Sequence, residues 1–191
     1  MPDADIIINL HAAGLWQLVT TAYQIIVPSI IAHEAQFYVD QQGDRNPIDL
    51  QAQVQARQIE EMSASLDDLA ALQQCFHPDR LEGLHDGEQE ALALVLSGTF
   101  VGGHFCSGDR AAIRALAALG LESQGVSLET ALQEIGQTLN RTWRRSPQLT
   151  QAYFDAAVVE GKRQRLTGDG LTRSLWDQIQ TEAPRPSRRK P

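Results

Sequence analysis

The stretch TFVGGHFCSGDRAAIRALAALG, residues 99–120, decides the fold class because it combines the patterns of a strand, a turn and a helix. Its first part carries aromatic and β-branched residues, and CSGD supplies turn residues that end in an aspartate suited to cap a helix. Its last part, RAAIRALAALG, has the apolar spacing of an amphipathic helix and ends at a glycine. A strand followed by a helix is the repeating unit of an α/β protein.

The same alternation occurs elsewhere in the chain. QIIVP, residues 24–28, predicts a strand, and SIIAHEAQFY, residues 29–38, predicts the helix after it. DGEQEALALVLSG, residues 86–98, is the clearest predicted helix. Further helices are predicted from their caps or apolar spacing over residues 15–23, 65–76, 127–136 and 146–166. We therefore expect an α/β/α sandwich with a central, mostly parallel sheet, plus a C-terminal helical extension.

Length and composition limit the organisation of the chain. A sequence of 191 residues, 42% of them hydrophobic, can bury one core. We expect one domain over residues 1–137, a helical extension over residues 138–182 and a disordered basic tail over residues 183–191. The apolar runs are shorter than the roughly 18 residues of a membrane span, which predicts a soluble, cytoplasmic protein. Cys75 and Cys106 lack ligand spacing and are expected to be buried free thiols.

The charge distribution is uneven. The formal net charge of −8 argues against a protein that binds nucleic acid through overall basicity. Of 16 lysines and arginines, however, eleven lie from Arg141 onward. This basic last quarter is either a solvated surface or a phosphate-contacting one, and the sequence leaves both interpretations open.

Four acidic residues lie where predicted strands lead into helices. Ligands of open α/β sheets bind at the carboxyl ends of the strands, so acids at such junctions can converge although they are distant in sequence. Each acid also has a structural interpretation, as a helix cap or as a partner of the helix dipole. Carboxylates that converge would suit Mg²⁺ or Mn²⁺, which prefer oxygen ligands. The four acids are Asp3, Glu34, Glu90 and Asp109.

The contexts of these acids resemble, in order, the motifs of the PIN-domain family of metal-dependent ribonucleases. DADIIINL resembles the first motif and aligns Asp3 with its acid and Asn9 with its asparagine. VPSIIAHE is similar to the second motif, whose acid falls on Glu34. DGEQEALAL resembles a Gly-Glu-x-Glu-Ala variant of the third, which places the acid at Glu90. The fourth motif is resembled by CSGDRAAIRALAALGL, through Ser107 and Asp109, and the resemblance covers roughly residues 1–136.

This resemblance implies an endoribonuclease that cleaves RNA phosphodiester bonds at a Mg²⁺ or Mn²⁺ site formed by the four acids. Asp5 stands where the family usually has Ser or Thr, and is either a further metal-site acid or a helix cap. A toxin-type member would also have a cognate antitoxin protein as a partner, and the chain could form a homodimer. Substrate contacts or support of the acids are expected from Asn9, Ser107, Arg110 and Arg114.

Two alternatives stand beside this interpretation. Only two residues precede Asp3, so the strand before the first acid is expected to be short or missing, which favours a catalytically inactive PIN-like module that binds RNA or protein. The opening Asp-x-Asp also resembles haloacid-dehalogenase-like phosphatases. Ile7 stands where that family has Thr or Val, and the only lysines, Lys162 and Lys190, lie far along the chain, so this reading is the weaker one.

Overall fold

Helices and short strands alternate in the computed structural model, which describes residues 1–40, 42–100, 102–139 and 146–182. The strands are β1 (Ile26–Pro28), β2 (Phe37–Val39), β3 (Arg45–Pro47), β4 (Glu60–Met62), β5 (Phe105–Cys106) and β6 (Gly125–Val126). The helices are α1 (Ala4–Ala12), α2 (Trp16–Ala22), α3 (Ser29–Glu34), α4 (Leu50–Gln55), α5 (Leu66–Gln73), α6 (Pro78–Leu81), α7 (Asp86–Leu96), α8 (Arg110–Ala118), α9 (Leu128–Glu134), α10 (Gln151–Thr167) and α11 (Arg173–Glu182). The mixed α/β class is confirmed.

The described strands form three separate pairs. β1 is parallel to β4 with Val27 opposite Glu61, and β5 is parallel to β6 with Cys106 opposite Val126. β2 and β3 form an antiparallel hairpin. Within the described residues each pair has two strands, so the one continuous sheet predicted from the sequence is not formed there. Strands of two or three residues offer too few backbone groups to join the pairs into a wide sheet.

The first three residues form a very short strand beside β5. Pro2 makes an isolated parallel bridge with Cys106. The backbone N–H of Cys106 donates to the Met1 carbonyl at 2.9 Å, and the Asp3 N–H donates to the Cys106 carbonyl at 3.0 Å. This ladder ends at Asp3, which is also the residue that begins α1.

Capping residues fix the helix starts that the sequence predicted. Ser65 and Asp68 form a capping box at α5, and the Ser127 hydroxyl accepts from the backbone at the start of α9. The helix predicted over residues 29–38 is shorter than expected: α3 ends at Glu34, and the chain then enters β2. Apolar spacing alone does not separate the last turn of this helix from the hairpin strand that follows.

The C-terminal extension packs directly on the rest of the chain. Phe154 and Ala157 of α10 are buried with Ile113 of α8. A Cβ added at Gly161 would lie 2.2 Å from the Arg114 carbonyl oxygen, so these two helices approach each other through the glycine. No helix among the described residues is long and apolar enough to cross a membrane. The predicted tail, residues 183–191, lies outside the described residues.

Both cysteines are free, as predicted. Cys106 is buried in β5, whereas Cys75 is only half-buried. The Cys75 thiol lies 3.3 Å from the carbonyl oxygen of Ala71, one turn earlier on α5. Each thiol therefore belongs to the packing of its own element.

Candidate active site

Asp3 is buried where the first three residues turn into α1. Its side chain is 4% exposed, and Oδ1 accepts from the Ile6 backbone N–H at 2.7 Å, which caps the helix. Oδ2 accepts from the Gly108 N–H at 3.0 Å, in the turn after β5. Burial raises the pKa of Asp3 to about 6, and the nearby Asp5 adds to this, although hydrogen bonds from Ser107, Ile6 and Gly108 oppose the shift. Asp3 thus connects the end of the strand formed by residues 1–3 to the turn that follows β5.

Asp109 begins α8 beside Asp3. Its Oδ1 accepts from the backbone N–H groups of Ala111 at 2.6 Å and Ala112 at 2.9 Å, so it caps the helix. The Asp109 N–H donates to the Ser107 hydroxyl at 2.9 Å, and Ser107 also hydrogen-bonds Asp3. Ser107 is therefore a buried link between two of the predicted acids.

Glu88, which the sequence interpretation did not select, faces these aspartates. It lies in the first turn of α7, is 7% exposed, and its Oε2 accepts from the His85 N–H at 3.0 Å. Burial raises its pKa to about 8, and repulsion from the carboxylates of Asp109, Asp3 and Asp5 adds to the rise. Glu88 therefore holds its proton at neutral pH. We call Asp3, Asp5, Glu88 and Asp109 the acid cluster.

Glu90, the predicted acid of α7, faces another neighbour. Its Oε1 accepts from the Ser29 hydroxyl at 2.7 Å and from the Ala64 N–H at 3.3 Å, and its Oε2 accepts from the Ile30 N–H at 2.8 Å. These bonds fasten the start of α3 to α7. The structure thus places Glu90 as a buried connection between elements, away from the acid cluster.

Glu34 lies on the other side of the first turn of α7. It is exposed, and a Cβ added at Gly87 would lie 2.7 Å from Cγ1 of Ile31 and 2.9 Å from Oε2 of Glu34, so this carboxylate lies close against the turn. Partial burial raises its pKa; Asp86 and Glu90 add to the rise, and His85 opposes it. Glu34 is therefore next to the helix turn that carries Glu88 but is not among the strong repulsive partners of Glu88.

The remaining predicted residues on α1 have different roles. Asp5 is exposed and contributes repulsion to both Asp3 and Glu88. The Asn9 amide donates to the Asp5 carbonyl oxygen at 2.7 Å, one turn earlier on the same helix. Asp5 therefore belongs to the acid cluster, whereas Asn9 stabilises α1.

The two predicted arginines on α8 point toward the C-terminal extension. The Arg110 guanidinium forms a two-pronged ion pair with Glu160 of α10 and lies 5.4 Å from the centre of the Tyr153 ring. Arg114 lies one turn later and contributes to lowering the pKa of Glu160. Arg110 therefore fastens α8 to α10, and its charge is largely balanced within the chain.

The choice between Glu88 and Glu90 could not be made from the apolar pattern of α7. Glu88 precedes Leu92 by one turn and Glu90 precedes Leu94 by one turn, so both fall on buried stripes of the helix. What separates them is the element that each one meets. The sequence feature that favours Glu88 over Glu90 is its position in the first turn of α7, because the helix dipole stabilises an acid there.

The carboxylates of the acid cluster are the ligand type that hard cations prefer, but they are not arranged as a metal site in the structure. Across residues 1–40, 42–100, 102–139 and 146–182, no three His, Cys, Asp or Glu side chains are grouped closely enough to hold a metal ion. The acid cluster nevertheless offers only carboxylate oxygens, and burial together with the charges of Asp109, Asp3 and Asp5 raises the pKa of Glu88. A divalent cation fits this donor set in charge and ligand type.

Comparison with known proteins identified no relative of this chain. No family model, no curated protein and no solved structure matches the chain.

Proposed function

We propose that the chain is a PIN-like ribonuclease that cleaves RNA phosphodiester bonds with the help of Mg²⁺ or Mn²⁺ at the acid cluster. The observation that carries the proposal is the convergence of Asp3, Glu88 and Asp109 from three separate parts of the sequence. Asp3 accepts the N–H of Gly108, the residue before Asp109, and the charges of both aspartates add to the burial that raises the pKa of Glu88. On this proposal the α/β elements correspond to a PIN-like sandwich.

Repulsion within a cluster of buried acids is unfavourable unless something offsets it. Two carboxylates about 4 Å apart repel by roughly 4 kcal/mol at an effective dielectric constant near 20. The raised pKa of Glu88 means that this carboxyl takes up a proton more readily, which would lower the repulsion. A bound divalent cation would lower it further, which is why we assign the cluster a binding role.

The residues in and around the acid cluster have different proposed roles, which follow from their positions. Asp3, Asp109 and Glu88 would hold the cation, with Asp5 at the exposed margin and Glu34 across the turn of α7. Ser107 fixes the relative position of Asp3 and Asp109 through its two hydrogen bonds. The Glu88 carboxyl, which is protonated near neutral pH, can give up its proton when positive charge arrives.

When bound, a divalent cation supplies a polarised water and charge neutralisation at a phosphate. RNA is the proposed substrate because the contexts of the acids resemble the motifs of ribonucleases, and a cation would offset the repulsion between RNA phosphates and the cluster. The capping bonds of Asp3 and Asp109 would compete with cation binding, since the same carboxylates serve both. Cation binding and local helix stability are therefore coupled in this proposal.

A second candidate function is a PIN-like module that binds RNA or protein without catalysis. Three acids of the cluster already accept a backbone N–H in the structure: the buried Asp3 from Ile6, the buried Glu88 from His85 and the half-buried Asp109 from Ala111. These bonds give the acids a structural role that needs no cation. An antitoxin protein or a second copy of the chain would be a natural partner of either candidate.

Cleavage of a fluorescent single-stranded RNA of mixed sequence, with Mn²⁺, Mg²⁺ or chelator, separates the two candidates. We expect metal-dependent cleavage that falls by orders of magnitude in Asp109→Asn and Glu88→Gln. Asp49→Asn is the matched control, because Asp49 caps α4 through the Ala52 N–H at 2.8 Å outside the cluster. Equal cleavage by wild type and both cluster variants would contradict the nuclease proposal.

A further inference from the structure

A small cleft lies between α6, α8 and the end of α10. Its volume is about 20 Å³, and Arg80 and Arg114 both line it, so we call it the arginine cleft. Because a water-sized group needs roughly 10–15 Å³ of such space, the arginine cleft has room for about one or two oxygen atoms. It has no room for a nucleobase or an aromatic ring.

The arginine cleft borders the acid cluster through two of its lining residues. The Ala111 N–H that donates to Asp109 at 2.6 Å belongs to a residue of the cleft wall. Leu84 also lines the cleft, and it directly precedes the residue whose N–H donates to Glu88. Arg114 lies five residues after Asp109, which is a rise of about 7.5 Å along α8. An extended RNA strand at the acid cluster can therefore reach the cleft.

Arg114 brings a positive charge to the cleft that is not paired within the described residues. Its guanidinium forms no ion pair with an acid there. The nearby Glu160, whose pKa Arg114 helps to lower, is bonded to Arg110 instead. Arg163 is also near Glu160, and among the described residues it has no ion pair either. Three arginines thus surround one glutamate at the contact between α8 and α10.

Arg80 and the turn after α10 form the other wall of the cleft. The Arg80 Nη2 donates to both carboxylate oxygens of Asp169, at 3.0 Å each. A Cβ added at Gly170, where φ is +76°, would lie 2.6 Å from the Arg80 Nε. The His77 N–H donates to the Gly170 carbonyl at 3.0 Å, which fixes this turn beside α6. The C-terminal extension therefore completes a cleft in which two arginines face one aspartate.

We propose that the arginine cleft binds an RNA phosphate that flanks the bond to be cleaved, with Arg114 as its main cation. This inference rests on the proposed function, because the acid cluster would cleave that strand. The charged oxygens of a phosphodiester fit a cleft of this volume, and a guanidinium can donate to both of them. In a chain of net charge −8, the positive charge of the cleft would offset the repulsion between RNA and the acids beside it.

Filter binding of a short single-stranded RNA to the full chain, in chelator and at low salt, tests the arginine cleft. The probes are the natural RNA and a series in which one phosphodiester at a time is replaced by an uncharged methylphosphonate. The variants are Arg114→Gln and Arg114→Lys, of which the second keeps the charge. Arg57→Gln is the matched control, because Arg57 is an exposed arginine that follows α4, away from the cleft.

We expect Arg114→Gln to weaken RNA binding roughly tenfold or more, as for a lost bond to a charged group. The slope of log affinity against log salt should fall by about 0.7, the contribution of one phosphate contact. Arg114→Lys and Arg57→Gln should keep both the affinity and the slope to a large extent. One methylphosphonate position should weaken binding to wild type more than the other positions do, and should have little effect on Arg114→Gln.

The proposal would be overturned by equal slopes in wild type and Arg114→Gln, by equal effects of all methylphosphonate positions on wild type, or by the absence of RNA binding to wild type. Displacement of the RNA by oligoglutamate of equal charge would overturn it in favour of an acidic peptide. The assay contains no metal ion, so it does not depend on cleavage. Failure of the cleft leaves metal-dependent cleavage intact, and failure of cleavage leaves the Arg114 effect on RNA binding intact, which keeps the two proposals distinguishable.

Discussion

Glu88 and Glu90 lie two residues apart on α7, and the helix turns them about 200° away from each other. Glu88 meets the aspartates at the starts of α1 and α8, where the His85 N–H is its only donor among the described residues. Glu90 meets three donors from Ser29, Ile30 and Ala64. Two identical side chains thus have opposite electrostatic surroundings, and their amide variants should behave differently.

Glu88→Gln should flatten the pH dependence of stability. Because folding raises the pKa of Glu88 from 4.5 to about 8, its contribution to stability is fully present below pH 4.5 and is lost as the pH rises toward 8. Over that window the unfolding free energy of wild type should fall by up to about 1.4 kcal/mol per pH unit from this group. Denaturant melts in chelator at pH 5 to 9 measure the slope, which should be smaller in the variant.

Glu90→Gln is the control for that experiment. Its amide nitrogen cannot accept, so at least one of the three donors loses its acceptor, at a cost of roughly 1–3 kcal/mol. This loss should be similar across the same pH range. A flattened slope in Glu90→Gln and an unchanged one in Glu88→Gln would contradict the assignment of Glu88 to the acid cluster.

The sequence predicts both aspartates of the proposed site, whereas Glu88 joins the proposal only from the structure, for a physical reason. Asp3 and Asp109 follow turn residues and directly precede helices, so local chemistry alone marks them. The choice between two glutamates on one buried helix depends on which distant element each faces. Arg110 shows the same limit, because its partner Glu160 lies 50 residues away in sequence.

Among the elements, α8 and α10 approach each other most closely at one glycine, Gly161. Replacing a helical glycine by alanine usually stabilises a helix by roughly 0.5–1 kcal/mol. At Gly161 the new methyl would lie 2.2 Å from the Arg114 carbonyl oxygen and 2.7 Å from Ala117 Cβ. We therefore expect Gly161→Ala to be destabilising, by about 1–3 kcal/mol in urea melts.

Arg163→Ala, on the exposed side of α10, serves as the control and should change stability by less than about 0.5 kcal/mol. A gain of stability in Gly161→Ala would show that α10 does not pack closely on α8. The fold of residues 1–137 could then be independent of the extension, as the sequence-based domain boundaries suggest.

Helices were more predictable than strands in this chain. α5, α7, α8 and α9 have capping residues and apolar spacing, which are local signals. β4 and β6 are only two or three residues long, and EEM in β4 has no strand pattern of its own. Such strands form because a neighbouring strand supplies hydrogen bonds, so their existence depends on tertiary structure.

The net charge of the whole molecule is negative, although most of its lysines and arginines lie in the last quarter of the sequence. Described cations are partly balanced: Arg80 pairs with Asp169, Arg110 with Glu160 and Lys162 with Glu122. The basic residues of the tail lie outside the described residues. Deleting residues 183–191, which removes four cations, should flatten the salt dependence of RNA affinity.

Each phosphate contact on a single strand contributes roughly 0.7 to the slope of log affinity against log salt. Filter binding of single-stranded RNA to the full chain and the deletion variant, in chelator to prevent cleavage, measures both slopes. An identical slope would show that the tail is a solvated surface without phosphate contacts.

If Asp3, Glu88 and Asp109 bind a divalent cation together, as we propose, Mn²⁺ should raise the melting temperature of the protein, and a thermal melt measures that rise. At about 100 times its dissociation constant, Mn²⁺ should stabilise wild type by roughly 2.7 kcal/mol, which corresponds to several degrees. Glu88→Gln should lose most of this rise, and Glu90→Gln, although less stable in chelator, should keep it. No rise in wild type, or a rise kept by Glu88→Gln and lost by Glu90→Gln, would contradict cation binding at the acid cluster.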